Sequence, residues 1–272
     1  VLDRGNSGRL EDIGMVTGAV FTDYDQDGDQ DLLLSRAWDS LVLYRNDDGD
    51  FKNVTSAVGL GEYKGWWSGV ASGDFNNDGR PDFVATNWGT NSPYQASFQH
   101  PLKMYYHDFK GDGIFEVVET YYDSTKGGYV PRKKLSAFKE LSMPFTSGID
   151  SSRQFASKTM DELVGAGFKS RMDQKTVNTL RSAVFINEGD HFSRHPLPDK
   201  VQFSAALHAG VADYNNDGNE DIFISQNFFQ VPSKMPRLDA GRGLWLKGNG
   251  EAEFEPVPGQ VSGVRAYGEQ RG

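Results

Sequence analysis

At 272 residues the chain is long enough for one large domain or a piece of one. Its net charge of −10 argues against a nucleic-acid partner, which demands a basic patch. The absence of cysteine excludes disulfide and thiol chemistry, and no apolar run approaches the length of a membrane span.

Residues 1–15 are polar and read as a lead-in, or as the tail of a preceding repeat. Val16 to Thr22 reads as a strand entering Asp23-Tyr24-Asp25-Gln26-Asp27-Gly28-Asp29-Gln30-Asp31. Side-chain oxygens stand at positions one, three, five and nine of this stretch, Asp23, Asp25, Asp27 and Asp31, and a glycine at six. Calcium takes six to eight oxygen ligands, and a loop of this spacing wraps one ion, with the backbone carbonyl of Asp29 at position seven. Gly28 allows the sharp turn, because glycine accepts positive φ without steric cost. Five carboxylates within nine residues repel one another unless a cation sits among them. Leu32-Leu33-Leu34 follows as a buried strand, so the loop feeds a strand and not the second helix of an EF-hand. Leu41 to Asn46 and Phe51 to Thr55 form a hairpin around Asp47-Asp48-Gly49-Asp50, giving four strands in the unit.

The loop recurs as Asp74, Asn76, Asp78, Arg80 and Asp82, and again as Asp213, Asn215, Asp217, Asn219 and Asp221, each before an apolar run. Three calcium sites are thus expected. A fourth copy, Asp108, Asp112, Ile114 and Glu116, carries Lys110 where position three wants an oxygen, so its ammonium either repels an ion or takes its place. This weak loop starts only 34 residues after the second, against 51 between the first two. Either the second repeat lacks its outer hairpin or the weak loop lies inside a repeat. Residues 122–181 interrupt the strand pattern and predict a helical insertion, with helical spacing over Lys133 to Leu141 and Thr159 to Val164 and a capping box at Thr159 and Glu162. Ser182 to Asn187 and His191 to His195 read as a hairpin. Ala205 to Ala212, Asp221 to Gln226, Leu244 to Lys247 and Glu253 to Val257 supply the last four strands. Short glycine-punctuated strands rich in aromatics make the chain all-β.

These loops resemble the FG-GAP/VCBS repeats of integrin-α-like β-propellers. Gly65-Trp66-Trp67, Asn91-Ser92-Pro93-Tyr94, Tyr129-Val130-Pro131-Arg132, Gln226-Asn227-Phe228-Phe229, Pro236 to Gly243 and Tyr267 to Gly272 resemble bacterial propellers that carry an ASPIC/UnbV domain. The resemblance implies a calcium-bearing propeller of four-stranded blades that binds something outside the cell, at an extracellular, cell-surface or periplasmic location. On this reading residues 1–272 are one partial ring of about four blades with the insertion within it. Gly18 and Gly69 each stand five residues before a loop, and Gly272 follows a similar approach, so another loop and further blades are expected beyond it.

Each acidic loop joins a first strand to a second, so the second-to-third connections emerge at the other end of the strands. Binding residues gather on loops held by a rigid scaffold. Trp38, Trp88, Tyr94, Tyr121, Tyr122, Arg132, Asn227, Phe228, Phe229 and Arg242 are the candidates there, unless the aromatics only pack beneath the connections. Tyr121, Tyr122, Arg132, Asn227, Phe228 and Arg242 are expected to bound one pocket. The five histidines form no metal-ligand spacing, and there is no nucleophile elbow or phosphate-cradling glycine loop. The reading is a binding module for a protein or glycan, with no catalytic residues; the alternatives are a carbohydrate-active enzyme resembling a polysaccharide lyase and a structural spacer.

Overall fold

The computed structural model describes residues 10, 12–141, 143–165, 170–231 and 236–270. The lead-in over residues 1–9 and 11 and the terminal Arg271-Gly272 lie outside the described residues. The chain forms two compact units, one of residues up to Pro93 together with those from Thr179 onward, the other of Tyr94–Asn178.

In the first sheet β1 (Val16–Thr22), β2 (Asp31–Ser40), β3 (Val42–Asp47) and β4 (Asp50–Asn53) lie antiparallel in chain order, and β5 (Lys64–Trp66) pairs with the far end of β2. β6 (Gly69–Gly73) and β7 (Asp82–Thr86) begin the second sheet. The chain then leaves for the other unit, whose strands are β8 (Leu102–His107), β9 (Glu116–Asp123), β10 (Gly128–Pro131) and β11 (Asp173–Val177). It returns to complete the second sheet with β12 (Ala183–Asn187) and β13 (Phe192–Pro196), β12 pairing directly with β7. The third sheet is β14 (Ala206–Ala212), β15 (Asp221–Gln226), β16 (Leu244–Gly248) and β17 (Phe254–Val257), again in chain order. No closed ring of sheets is formed among the described residues. No helix among them is long and apolar enough to cross a membrane.

The second sheet is apolar on both faces, which explains the unbroken runs Phe83-Val84-Ala85 and Ala183 to Ile186. Side chains alternate across a strand. Phe83, Ala85, Ala183 and Phe185 join one core with Leu33, Leu43 and Trp67 of the first sheet side. Val84, Val184 and Ile186 join another with Ile222, Ile224 and Leu246 of the third. The first strands of the three sheets come close enough that backbone meets backbone. A Cβ on Gly18 would stand 3.2 Å from Gly69 Cα, and one on Gly69 would stand 3.0 Å from the Leu207 carbonyl oxygen.

The Tyr94–Asn178 unit corrects two expectations. The inserted segment is not helical over 122–181. It begins at Tyr94, ends at Asn178 and contains a sheet of order β10-β9-β8-β11. Its helices are short: α1 (Leu135–Glu140), α2 (Ser152–Ala156) and α3 (Met160–Val164). They close a core of Tyr105, Val118, Phe138, Met143, Phe155 and Met160. The weak loop is its β8–β9 connection, and the outer hairpin of the second sheet exists but follows the insertion. Spacing misled because β8 and β9 bury one face like the repeat strands, and pairing partners are not written in local sequence. The capping box does form: Thr159 Oγ1 accepts from Glu162 N at 3.3 Å, and Glu162 accepts from Thr159 N at 2.7 Å. Of about four expected repeats, three share one topology. The fourth sheet places its last strand beside its first.

Filling the convergence of first strands overpacks it. Gly69→Val should destabilise the fold by about 1–3 kcal/mol, read as a lower urea midpoint. Gly268→Ala, with open space around it, should leave the midpoint unchanged.

Candidate functional site

The four acidic loops share one hydrogen-bond frame. In the first, Asp23 Oδ1 accepts from Asp27 N at 3.1 Å and Oδ2 from Gly28 N at 3.0 Å, while Asp27 Oδ1 accepts from Asp29 N at 2.9 Å. Asp74 holds Asp78 N and Gly79 N at 3.1 and 2.9 Å, and Asp213 holds Asp217 N and Gly218 N at 3.1 and 2.9 Å. Asp108 does the same for Asp112 N and Gly113 N at 3.1 and 2.8 Å. The glycine at position six has positive φ in every copy. Position four does too, with Gln26 at 61°, Asn77 at 58°, Asn216 at 58° and Gly111 at 74°. The sequence reading missed this second left-handed site, although Asn77, Asn216 and Gly111 are the residue types that tolerate it.

Position nine fastens each loop to its sheet. Asp31 Oδ2 accepts from Tyr24 N at 2.9 Å, and Oδ1 from Asn46 N of β3 at 2.8 Å. Asp82 accepts from Phe75 N at 2.9 Å and Asn187 N of β12 at 2.7 Å; Asp221 accepts from Tyr214 N at 3.1 Å and Gly248 N of β16 at 2.9 Å. All three carboxylates are fully buried. Burial pushes Asp31 and Asp82 up to about 6 despite these donors. Glu116 differs: one oxygen accepts from Phe109 N at 3.1 Å, but the other meets Lys110 Nζ at 2.7 Å. The hydrogen bond from Lys110 holds Glu116 below the ordinary carboxylate range.

Protein cations also reach the second and third loops. Arg80 stands 2.6 Å from Asp78, and Lys247 stands 2.8 Å from Asp217. Spacing within a loop could not reveal Lys247, which comes from β16. In the first loop, ligand oxygens of Asp23, Asp25 and Asp27 lie within 4.8 Å of one another, and these side chains can hold a metal ion. No ion pair reaches them among the described residues. Burial and then the neighbouring Asp27 raise Asp25 above its usual range. The Asp29 side chain is committed elsewhere, accepting from Asp48 N at 2.7 Å. In the third loop Asn215 turns its amide nitrogen to Asp221 at 3.1 Å. The first loop thus differs from the second and third in leaving its ligand-position carboxylates without an ion pair among the described residues.

Residues 23–85 match the model of the FG-GAP-like repeat. The match runs from the first aspartate of the first loop into β7, so it spans two acidic loops and the strands between them. It supports an FG-GAP-type repeat protein. No curated protein matches the chain. The third acidic loop lies outside the matched FG-GAP-like segment but repeats its hydrogen bonds atom for atom.

The connections from second to third strand leave the sheets at the ends remote from the FG-GAP loops. Trp88 is buried there, stacked on Trp66 at 4.1 Å and 8°, with Phe228 5.2 Å from Trp88 and Trp38 5.3 Å from Trp66. Phe228 and Trp66 line a cavity of about 330 Å³ with Thr17, Ser68 and Leu207. Those last three each stand six residues before a loop, a signal the sequence carried. Asn227 is a correction. It is fully buried at φ 84°, its Oδ1 accepts from Gly241 N and Ser204 Oγ, and its Nδ2 donates to the Gly241 and Gly268 carbonyls. Its amide holds the 227–243 connection in place and offers nothing to a ligand. Phe229 N donates to Glu269, and exposed Arg242 lies 5.0 Å from the Tyr267 ring beside a separate cavity of about 500 Å³.

In the inserted unit Tyr94 is buried too, its hydroxyl donating to Glu119 at 2.9 Å under the Arg132 guanidinium, 4.0 Å from the ring centroid. Burial raises this phenol further. Tyr122 stacks on His100 at 3.9 Å. Tyr121 is exposed and, with Arg132, lines a cavity of this unit. The six residues expected around one pocket thus serve different local structures within each unit.

Removing a position-nine carboxylate strands two buried amides. Asp82→Ala should cost about 2–5 kcal/mol, measured as urea midpoint in excess chelator so that no metal contributes. Asp29→Ala, whose side chain holds one exposed amide, should cost under about 1.5 kcal/mol.

Proposed function

We propose that the chain is a calcium-dependent binding module built as part of an FG-GAP/VCBS β-propeller, each four-stranded sheet of the larger unit serving as one blade. The carrying observation is the Asp23, Asp25 and Asp27 cluster, three carboxylates on a rigid frame with no ion pair among the described residues, Arg45 acting on Asp25 only through its field. Clustered oxygens of this kind suit a hard cation. Asp23, Asp25 and Asp27 with Asp31 would hold the ion in the first loop, and its charge would relieve their mutual repulsion. The second and third loops are proposed as weaker sites, because Arg80 and Lys247 already neutralise one carboxylate each. In the fourth, Lys110 is proposed to replace the ion. The site outside the cell, the resemblance to bacterial ASPIC/UnbV propellers, and a protein or glycan partner belong to the same reading. Half-buried Trp66 and Phe228, which line a cavity at the strand ends remote from the calcium loops, support it, since aromatic groups dominate binding hot spots.

Calcium at a hundredfold excess over its Kd should stabilise the protein by about 2.7 kcal/mol through a single site. Chelator is expected to lower the melting temperature and readded calcium to restore it. Asp25→Asn/Asp27→Asn should remove the tightest site in a calorimetric titration while leaving two weaker ones. An unchanged melt with no metal by elemental analysis would refute the reading. A glycan array read together with a product assay should give binding without turnover; product would favour the enzyme instead.

A further inference from the structure

In a chain of net charge −10, five cations surround one cavity. Lys126, Arg132, Lys133, Lys134 and Lys158 line a volume of about 410 Å³ in the inserted unit. The fold gathers them from three places. The turn before β10 presents Lys126, the chain leaving β10 delivers Arg132, Lys133 and Lys134 in succession, and Lys158 precedes the cap of α3.

Two of the five are answered locally. Lys126 donates to the Ala156 carbonyl and stands 3.8 Å from Asp123; Arg132 stands 4.0 Å from Glu119 and over Tyr94. Glu162, near Lys126 and Lys158, is engaged in the Thr159 cap. No carboxylate lies within ion-pair distance of Lys133, Lys134 or Lys158 among the described residues. One sign of charge lining a concave site concentrates the opposite ion there.

The walls are not only basic. Tyr121, 39% exposed with the Arg132 guanidinium 5.9 Å from its ring, lines the cavity together with Pro131, Leu135 and Phe155. An aromatic ring beside cations matches the two surfaces of an acidic sugar, an apolar C–H face and an anionic substituent. A free phosphate would use the amines and leave the ring idle. A nucleic acid needs a basic stripe along its backbone, which a single open cavity in an acidic chain does not supply.

We propose that this cavity binds a pyranose bearing a carboxylate or sulfate, as part of an acidic polysaccharide. The inference rests on the reading of the protein as a binding module and names its ligand class. Calorimetry on the full chain tests it with tri-galacturonate, a heparin-derived oligosaccharide, a neutral cello-oligosaccharide of the same length, inorganic phosphate and short single-stranded DNA. One or both acidic sugars should bind, more weakly as salt rises, and the two arms separate carboxylate from sulfate. Lys133→Gln/Lys134→Gln should weaken binding about tenfold, with an unaltered calcium-dependent melt. Lys139→Gln, in the same unit but outside the cavity lining, should change nothing. Failure of both acidic sugars to bind, equal binding of phosphate or DNA, or insensitivity to the double variant would overturn the inference. Binding of the neutral sugar unaffected by the double variant would overturn it and leave the binding-module reading standing.

Discussion

A buried carboxylate at the ninth position of each acidic loop ties three pieces of chain together. It ends the loop, begins the second strand, and accepts amides from position two and, in three of the four copies, from the third strand. Placing a carboxylate out of water costs several kcal/mol. Two charge-assisted hydrogen bonds from backbone amides offset part of that cost. Their geometry fixes the loop against its sheet. The position-one aspartate then collects the amides of positions five and six, and the loop keeps its shape through its own polar groups. A cation arriving there would find Asp23, Asp25 and Asp27 already gathered, so little of its binding energy would go into ordering the chain.

The differences between the loops are differences in charge compensation. The first has no protein cation on its ligand carboxylates among the described residues. The second and third each have one, on the position-five carboxylate. The fourth has one on position nine, where Lys110 does what a strand amide does elsewhere. One backbone frame therefore supports a graded series, from a cluster that needs an external cation to one that carries its own.

Much of this was legible in the sequence because loop, glycine and following strand are local. Asp23 to Leu34, Asp74 to Ala85 and Asp213 to Ile224 each announce a turn and a buried strand within a dozen residues. What escaped was non-local. The pairing of β7 with β12 across the whole inserted unit left no trace in spacing, so the insertion was placed too late and read as helical. Lys247 meets Asp217 from another strand. Asn227 reads as a ligand residue because it is polar and precedes Phe228 and Phe229 in a second-to-third connection; only the fold reveals its four hydrogen bonds. The grouping of Lys133 and Lys134 with Lys126 and Lys158 is likewise invisible in the sequence, since nothing local brings the four together.

The most direct test of the graded series is site-resolved metal occupancy, from anomalous diffraction on crystals equilibrated with rising amounts of calcium. The account predicts density first between Asp23 and Asp31, then at 74–82 and 213–221, and last or never at 108–116. Density appearing first at Asp108 and Glu116, or an empty first loop while the others fill, would contradict it.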